Sequence, residues 1–315
     1  DLILAVDGQP TKGMTASDAV RVIRGPKGTA VELLIFSKGD TAAHTVKLTR
    51  DTIPVISVKS RELEPGYYWI RLTQFSERTI TELAQALREI TKAGELKGIV
   101  LDMRNNPGGL LGQAVNVSDM FLRDGMIVSM RGRNPESNQE FKAKAQASDI
   151  TAPVVVLINS GSASAAEIVA GALGDHSRAL LVGEQTFGKG SVQSIYPLPD
   201  GAGVKLTTAI YYTPNGKSIQ GEGITPDIVV AYEEPVSEEE AKTGVPTWSV
   251  REQNLPGHLE NGQKDKAAEK DKTTPPRTDK AAKQAEEVNE ALAKDNQLRM
   301  ALQLVKGLPR FKDVQ

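Results

Sequence analysis

Residues 153–173 read PVVVLINSGSASAAEIVAGAL, and this stretch decides the fold of the chain around it. The apolar run Val154–Ile158 is typical of a strand that is buried on both faces of a parallel sheet. A serine-rich turn follows, and then a helix of small residues predicted over Ser164–Leu173, with Glu167 placed to complete a capping box. The stretch therefore predicts a strand, a turn and a helix of an α/β domain.

Strand and helix patterns alternate on both sides of this unit, over about residues 53–230. The other predicted strands are Tyr68–Leu72, Gly98–Met103, Met126–Met130 and Ala179–Gly183. The other predicted helices are Thr79–Ala93 and Leu111–Phe121. A β-rich stretch follows at Ser191–Leu198 and Val204–Thr213. The fold class is therefore α/β, with an α+β character toward the end of this region.

The composition excludes several classes of protein. The 38 basic residues against 40 acidic ones give a net charge of −2, which argues against a nucleic-acid-binding protein. There is no cysteine, so thiol catalysis, disulfides and cysteine metal sites are excluded. The longest apolar run, Val154–Ile158, is far too short for a transmembrane segment. No signal peptide is visible, and we expect any targeting segment to precede Asp1.

Three further regions flank the core. Residues 1–52 carry a strand at Leu2–Val6, a short helix and a strand at Ala30–Phe36, and they are too small to form a complete domain. Residues 231–277 form a charged linker that we expect to be disordered, because it cannot bury enough apolar surface to offset its ordering entropy. Residues 278–315 are predicted to be helical as far as Gly307.

The C-terminal helix has apolar residues at Leu298, Leu302 and Val305. An isolated amphipathic helix needs a partner surface to bury such residues. We therefore expect this helix to mediate self-association, and the alternative is a solvated tail.

The sequence argues against two well-known kinds of site, a Ser-His-Asp catalytic triad and a phosphate-binding loop. A Ser-His-Asp triad would need His176, which lies at the far end of the helix after Ser164, about 15 Å or more away at ~1.5 Å rise per residue. Residues 183–191, GEQTFGKGS, nearly match the phosphate-binding GxxxxGK[ST]. However, Gly190 replaces the required hydroxyl and a strand-like segment follows. We therefore expect Lys189 to lie on a tight turn between strands.

A serine at this junction between strand and helix is a candidate nucleophile on the residues alone. The other interpretation of its segment is a serine-rich turn that only caps a helix. A second segment favours a catalytic role. Residues 98–109, GIVLDMRNNPGG, are predicted to form a strand that ends in a glycine-rich turn, and the N–H groups of this turn could bind an anionic oxygen. A serine hydroxyl needs a base, and Lys189, between two glycines, is the lysine whose surroundings fit. Such a lysine must be neutral, so the site should be dry.

The three segments together resemble the tail-specific, or C-terminal processing, serine proteases of peptidase family S41. The pattern consists of SxSAxE, then GExTFGKGxVQ, with DxRxNxGG upstream, and residues 1–52 resemble the PDZ domain that these proteases carry. The resemblance covers about residues 1–230, and residues 231–315 match nothing with an assigned function. It implies a crotonase-like ββα protease core with a partial PDZ domain.

The resemblance implies the role of each site residue. Ser164, rather than Ser162, is the implied nucleophile. The other implied catalytic residues are Lys189 as general base and Gln193, which orients the lysine from the same face of a strand. The implied oxyanion hole consists of the N–H groups of Ala165 and Gly109, with Gly108 nearby. Pro107 departs from the usual glycine and has no N–H to contribute, so Gly108 and Gly109 must supply the N–H groups on this side.

The resemblance also implies the biology of the protein. Its substrates would be proteins with exposed C-terminal tails, bound by a PDZ groove whose helix is about Thr15–Arg24, with Arg24 as a candidate regulatory contact. The implied location is the bacterial periplasm, with a possible adaptor protein, a homo-oligomer, and no cofactor or metal. The loop that binds the tail carboxylate precedes Asp1 in the family pattern. The alternatives are a PDZ scaffold on a catalytically silent core and a crotonase-like acyl-CoA enzyme.

Overall fold

The computed structural model describes five stretches of the chain, residues 1–37, 39–52, 56–199, 201–233 and 279–312. They form two compact units, Asp1–Ile56 and Ser57–Gln315. Most of the predicted linker, from residue 234 to residue 277, lies outside the described residues. The C-terminal helices belong to the second unit, whereas the sequence predicts a separate region there.

The first unit is a small antiparallel sheet with one helix. In chain order its elements are β1 (Leu2–Val6), β2 (Gln9–Pro10), α1 (Ala16–Ile23), β3 (Ala30–Phe36) and β4 (His44–Thr49). The strand order is β2-β1-β3-β4. Thr15 caps α1, because its side chain accepts the N–H of Asp18 at 3.2 Å. Val6, Val31 and Leu33 form a core of modest size.

The second unit contains the remaining elements. In chain order they are β5 (Val58–Glu64), β6 (Tyr67–Leu72), α2 (Thr79–Ala93), β7 (Gly98–Asp102), α3 (Leu111–Asp119), β8 (Met126–Gly132), β9 (Gln139–Lys142), β10 (Val154–Ile158), α4 (Ala165–Asp175), β11 (Ala179–Gly183), β12 (Ser191–Pro197), β13 (Gly203–Tyr212), β14 (Ile228–Val229), α5 (Asp279–Lys294) and α6 (Asn296–Lys312). A short 3-10 turn, Pro135–Ser137, precedes β9. The elements from β6 to β13 match the predicted alternation closely, and β5, β9 and β14 are additional.

The central sheet has strand order β14-β11-β10-β7-β6-β5, and only the β5–β6 pair is antiparallel. Both β7 and β10 are buried along their whole length. Successive side chains of β10 pack into different cores: Val154, Val156 and Ile158 face the one that contains α2, α3 and α4, whereas Val155 and Leu157 face α6. Burial on both faces explains the continuous apolar run in the sequence.

The C-terminal helices pack on the central sheet of their own chain. Leu298, Leu302 and Val305 of α6 are buried against the second face of the sheet, together with Ala301. Our reason for expecting self-association, that these side chains have no other place to be buried, is therefore wrong. The predicted single helix is two helices separated at Asp295, and the second continues past Gly307 to the end of α6.

A second, antiparallel sheet of the same unit has strand order β12-β13-β8-β9, so β12 is an edge strand. Residues 184–190 connect β11 to β12 and contain Lys189. Because a strand and not a helix follows Lys189, the structure excludes a phosphate-binding loop, as the sequence predicts. The pairing of β12 with β13 shifts between Val192 and Gln193, where a β-bulge interrupts the ladder.

Candidate active site

Two turns meet at the carboxyl ends of β7 and β10. These strands are parallel neighbours, so the segments that follow them emerge side by side. Asn105 N–H donates to Asn159 Oδ1 at 2.8 Å, and Asn159 Nδ2 donates back to Asn105 Oδ1 at 3.0 Å. Ala163 N–H donates to the Asn106 carbonyl at 2.9 Å. The glycine-rich turn after β7 is thereby fixed to the serine-rich turn after β10.

Ser164 lies at the sharp bend between β10 and α4. Its φ of 54° and ψ of −112° are uncommon for a residue with a side chain, and such conformations persist only where the surroundings enforce them. Its side chain is partly exposed, and its N–H donates to Glu167 Oε2 at 2.7 Å. A strained serine between a strand and a helix is the arrangement of a nucleophile elbow.

Ser162 has a structural role in the turn. Its side chain is fully buried. The hydroxyl donates to the Met103 carbonyl at 2.8 Å and accepts the Asn159 N–H at 3.0 Å. It therefore joins the two turns, and this supports Ser164 over Ser162 as the nucleophile.

The glycine turn lies directly against Ser164. A Cβ on Gly108 would lie 2.8 Å from Ser164 Cβ and 2.9 Å from Ala165 N. Gly108 N–H donates to Asn106 Oδ1 at 2.9 Å, so this amide already has a partner and does not serve as an oxyanion donor here. The Ala165 N–H belongs to the first turn of α4, where helical N–H groups lack a partner in the helix. The amides of Gly109 and Ala165 thus remain as the candidate oxyanion hole.

Replacing Gly108 by alanine should damage the site more than the fold. The residue has a φ of +97°, and the added methyl group would collide with the Ala163 carbonyl and with Ser164 Cβ. The turn must then move away from the nucleophile, so we expect kcat of any peptidase activity to fall about 100-fold. Gly112→Ala is the matched control, because its added Cβ meets no atom. Equal kcat values for both variants would contradict the placement.

Glu167 holds the serine turn and the lysine loop together. Its carboxylate is fully buried and accepts four hydrogen bonds. Oε2 accepts the N–H groups of Ser164 at 2.7 Å and Lys189 at 2.9 Å. Oε1 accepts Thr186 Oγ1 and the Gly188 N–H, both at 2.6 Å. The sequence predicts only the contact with Ser164, as part of a capping box, whereas the bonds to the lysine loop come from the tertiary fold.

Lys189 and Gln193 are placed differently from the sequence prediction. Lys189 precedes β12, which begins at Ser191, so the two residues do not share one face of a strand. The register between β12 and β13 also shifts at Gln193, with Thr208 of β13 as the extra residue. Both side chains are exposed, and the expected dry environment of Lys189 is absent in this state. No hydrogen bond joins Ser164 Oγ to Lys189 Nζ, both of which the structure describes.

A charged cluster lies beneath the glycine turn. Asp102 is fully buried and accepts hydrogen bonds from Arg104 Nε at 3.0 Å, Arg104 Nη2 at 2.7 Å and Trp69 Nε1 at 3.0 Å. Burial by itself would raise the pKa of Asp102. The hydrogen bonds and charge of Arg104, together with Arg71 and Trp69, outweigh that effect, and the pKa lies below its ordinary value.

This lowered pKa predicts a contribution to acid stability. The unfolded chain protonates Asp102 near pH ~3.9, whereas the folded chain holds the carboxylate to lower pH. The contribution is therefore present above that pH and is lost as the pH falls through the folded value. In Asp102→Asn, the free energy of unfolding should depend less on pH below ~4, by up to about 1.4 kcal/mol per pH unit. Urea unfolding at several acid pH values would show it, and an unchanged slope would contradict the prediction.

The described stretches place His176 away from Ser164 and contain no cluster of possible metal ligands. His176 ends α4, and its Nε2 contacts the Met126 carbonyl at 2.6 Å, at the opposite end of the helix from Ser164. Across the described residues, no group of three or more His, Asp or Glu side chains could hold a metal ion. Each helix in that part of the chain is too short or too polar to cross a membrane.

Known proteins share both the sequence and the fold. The profile of Peptidase family S41 matches residues 66–230. The chain is 47% identical over 266 residues to a carboxy-terminal-processing protease of Bartonella bacilliformis, which covers 84% of this chain and 60% of that protein. It is 42% identical over 228 residues to the carboxy-terminal processing protease CtpA of Bacillus subtilis, covering 72% of this chain and 48% of that one.

A solved structure gives the same result. The chain matches the photosystem II D1 C-terminal processing protease with 36% identity and a TM-score of 0.52, over 73% of this chain and 62% of that one. This chain spans less than two thirds of the length of each of these relatives. The family profile nevertheless covers the two turns, the lysine loop and β12–β13. The chain belongs to peptidase family S41.

Proposed function

We propose that this chain is a serine-type endopeptidase that cleaves protein substrates at or near their C-terminal tails. Ser164 is the nucleophile, Lys189 the general base and Gln193 the residue that orients the lysine. The N–H groups of Ala165 and Gly109 bind the oxyanion. One observation carries the proposal: a single buried oxygen, Glu167 Oε2, accepts the N–H of both Ser164 and Lys189.

The proposed reaction has two halves. Neutral Lys189 Nζ takes the proton of Ser164 Oγ as the oxygen attacks the scissile carbonyl, and the tetrahedral oxyanion accepts hydrogen bonds from Ala165 and Gly109. Lys189 then gives that proton to the leaving amine, which leaves an acyl-enzyme. Water attacks the ester with Lys189 as base, and the acid product and free Ser164 are released.

The exposed Lys189 side chain sets a requirement for this reaction. A lysine base functions in a site from which water is excluded. Substrate must therefore displace water from Lys189 and Gln193 before the amine can act as a base. Both residues lie at or next to the edge strand β12. Among the described residues no strand pairs with its outer side, and a peptide backbone could add there. The same step that binds the substrate therefore also activates Lys189 as the base.

The first unit would supply tail recognition. We propose that it is part of a PDZ domain, with the groove along α1 and Arg24 as a regulatory contact. Val20 of α1 is 45% exposed, and Arg24, just past the end of the helix, is exposed as well. The similarity to carboxy-terminal processing proteases supports C-terminal processing as the activity. A periplasmic location, an adaptor protein and a homo-oligomer stay predictions.

The function is tested with one substrate and one probe. The substrate is a disordered polypeptide with an apolar C-terminal tail, and the probe is a fluorophosphonate that reacts with activated serines. We expect hydrolysis by the chain, and labelling in the presence of a tail peptide that maps to Ser164. Ser164→Ala should remove both. Labelling elsewhere, or hydrolysis that survives Ser164→Ala, would overturn the proposal, and binding of an acyl-CoA without hydrolysis would favour the crotonase-like alternative.

A further inference from the structure

The junction between α5 and α6 reaches the charged cluster beneath the glycine turn. Arg104 Nη1 donates to Asp295 Oδ1 at 3.0 Å and to Gln297 Oε1 at 2.9 Å, and Arg104 Nη2 donates to Asp295 Oδ2 at 2.7 Å. The other two donations go to Asp102. All five N–H donors of the guanidinium are thus used, three of them by residues far along the chain.

Arg104 is the residue from which the glycine turn begins. Its carbonyl accepts Arg71 Nη2 at 3.2 Å, so its backbone and its side chain are both held. Two residues later, Asn106 Nδ2 donates to the Leu72 carbonyl at 2.8 Å, and the Asn106 carbonyl accepts Ala163 N–H. Arg104 therefore holds the start of the turn that carries Gly109, and Asn106 holds its middle against the segment of Ser164.

Asp295 supplies a charge that the cluster needs. Arg104 is only 7% exposed, and its guanidinium and that of Arg71 are balanced by the carboxylates of Asp102 and Asp295. Without Asp295, two donors of Arg104 lose their partner and the cluster carries excess positive charge in a buried place. The side chain can relieve this only by moving toward water, and it would take the start of the turn with it.

We propose that Asp295 is a positioning residue for the oxyanion turn, and that the α5–α6 segment is part of the machinery of the site. The expected effect on catalysis rests on the proposed function. The expected effect on the turn rests only on the contacts of Arg104. The segment lies outside residues 66–230, where the family profile matches. Its packing through Leu298, Leu302 and Val305 holds Asp295 in place.

The choice of variant separates this role from helix capping. Asp295 also caps α6, because its Oδ1 accepts the Leu298 N–H at 2.8 Å. Asn is as good a cap as Asp, so Asp295→Asn keeps the cap and removes the charge and one acceptor. Glu290→Gln is the control, because Glu290 lies on α5 in an exposed ion pair with Lys294.

Two measurements test the proposal on the full chain. Hydrogen exchange read by mass spectrometry should show residues 104–110 of Asp295→Asn exchanging about tenfold faster, with α4 unchanged. With the peptide substrate, kcat should fall about tenfold to 100-fold while KM changes less than about threefold. Glu290→Gln should match the wild type in both.

The outcomes are distinct. Asp295→Asn with wild-type exchange over residues 104–110 would overturn the proposal, whatever its kcat. Faster exchange in a chain whose wild type hydrolyses no substrate would support the positioning role and refute the proposed function. If Asp295→Asn does not fold, Gln297→Met removes one acceptor of Arg104 at similar volume. It should loosen the same residues to a smaller extent, and unchanged exchange there would overturn the proposal.

Discussion

Lys189→Ala should lower kcat/KM for peptide hydrolysis by about 10⁴-fold or more, while the free energy of unfolding stays within about 0.5 kcal/mol of the wild type. The loss follows because the proposed mechanism assigns the proton of Ser164 to Lys189, and His176 lies at the opposite end of α4. The stability is spared because the Lys189 side chain is exposed, and its structural bond to Glu167 comes from the backbone N–H, which alanine retains.

Two further variants make this result specific to proton transfer. Lys189→Arg keeps a cation at the same place but cannot be deprotonated in a protein, so it should be as inactive as alanine. Lys205→Ala removes another exposed lysine from the same sheet, on β13 opposite Ile195, and should leave kcat unchanged. Kinetics with a fluorogenic peptide and urea unfolding of each variant are the measurements. An active Lys189→Arg would remove Lys189 as the base.

Local patterns in the sequence predict the scaffold of this site well. The apolar runs of β7 and β10, followed by turns rich in glycine, serine and asparagine, are signals contained within each segment. Parallel pairing then brings both turns to one sheet edge, so the meeting of Gly108 with Ser164 follows from the topology. The choice of Ser164 over Ser162 comes from the family resemblance and not from a local pattern, and it stays a prediction that the burial of Ser162 supports.

Contacts between distant segments could not be predicted in this way. Asp295 and Arg104 are 191 residues apart and are separated by the charged stretch 231–277, and no local pattern connects them. The same applies to α6, since a helical apolar stripe shows that a partner surface exists without saying which surface it is.

The second large effect is expected when the carboxylate of Glu167 is replaced by an amide. In Glu167→Gln, one of the two oxygens becomes an NH₂ group that faces donors and accepts nothing. Two of the four hydrogen bonds are lost in a fully buried place, either those from Ser164 and Lys189 or those from Thr186 and Gly188. At about 1–3 kcal/mol for each unsatisfied donor, the free energy of unfolding should fall by about 3 kcal/mol.

Activity should fall further than stability alone explains. Loss of the bonds from Ser164 and Lys189 removes their common acceptor, Oε2. Loss of the bonds from Thr186 and Gly188 instead frees the part of the lysine loop next to Lys189. We expect kcat to fall about 100-fold at a temperature where the variant is fully folded, with a smaller change in KM. Glu184→Gln is the matched control, because it makes the same change in the same loop. Its Oε1 accepts only the Tyr232 N–H at 3.3 Å near the surface.

Together, the two glutamine variants show whether catalysis depends on the hydrogen bonds that Glu167 accepts from the serine turn and the lysine loop. Glu184→Gln should keep the wild-type kcat and lose at most about 0.5 kcal/mol of stability. A Glu167→Gln variant that is destabilised but retains the wild-type kcat when folded would show that the site does not depend on this carboxylate. Serine and lysine would then have to be aligned by the substrate itself, since Lys189 and Gln193 are both exposed without it.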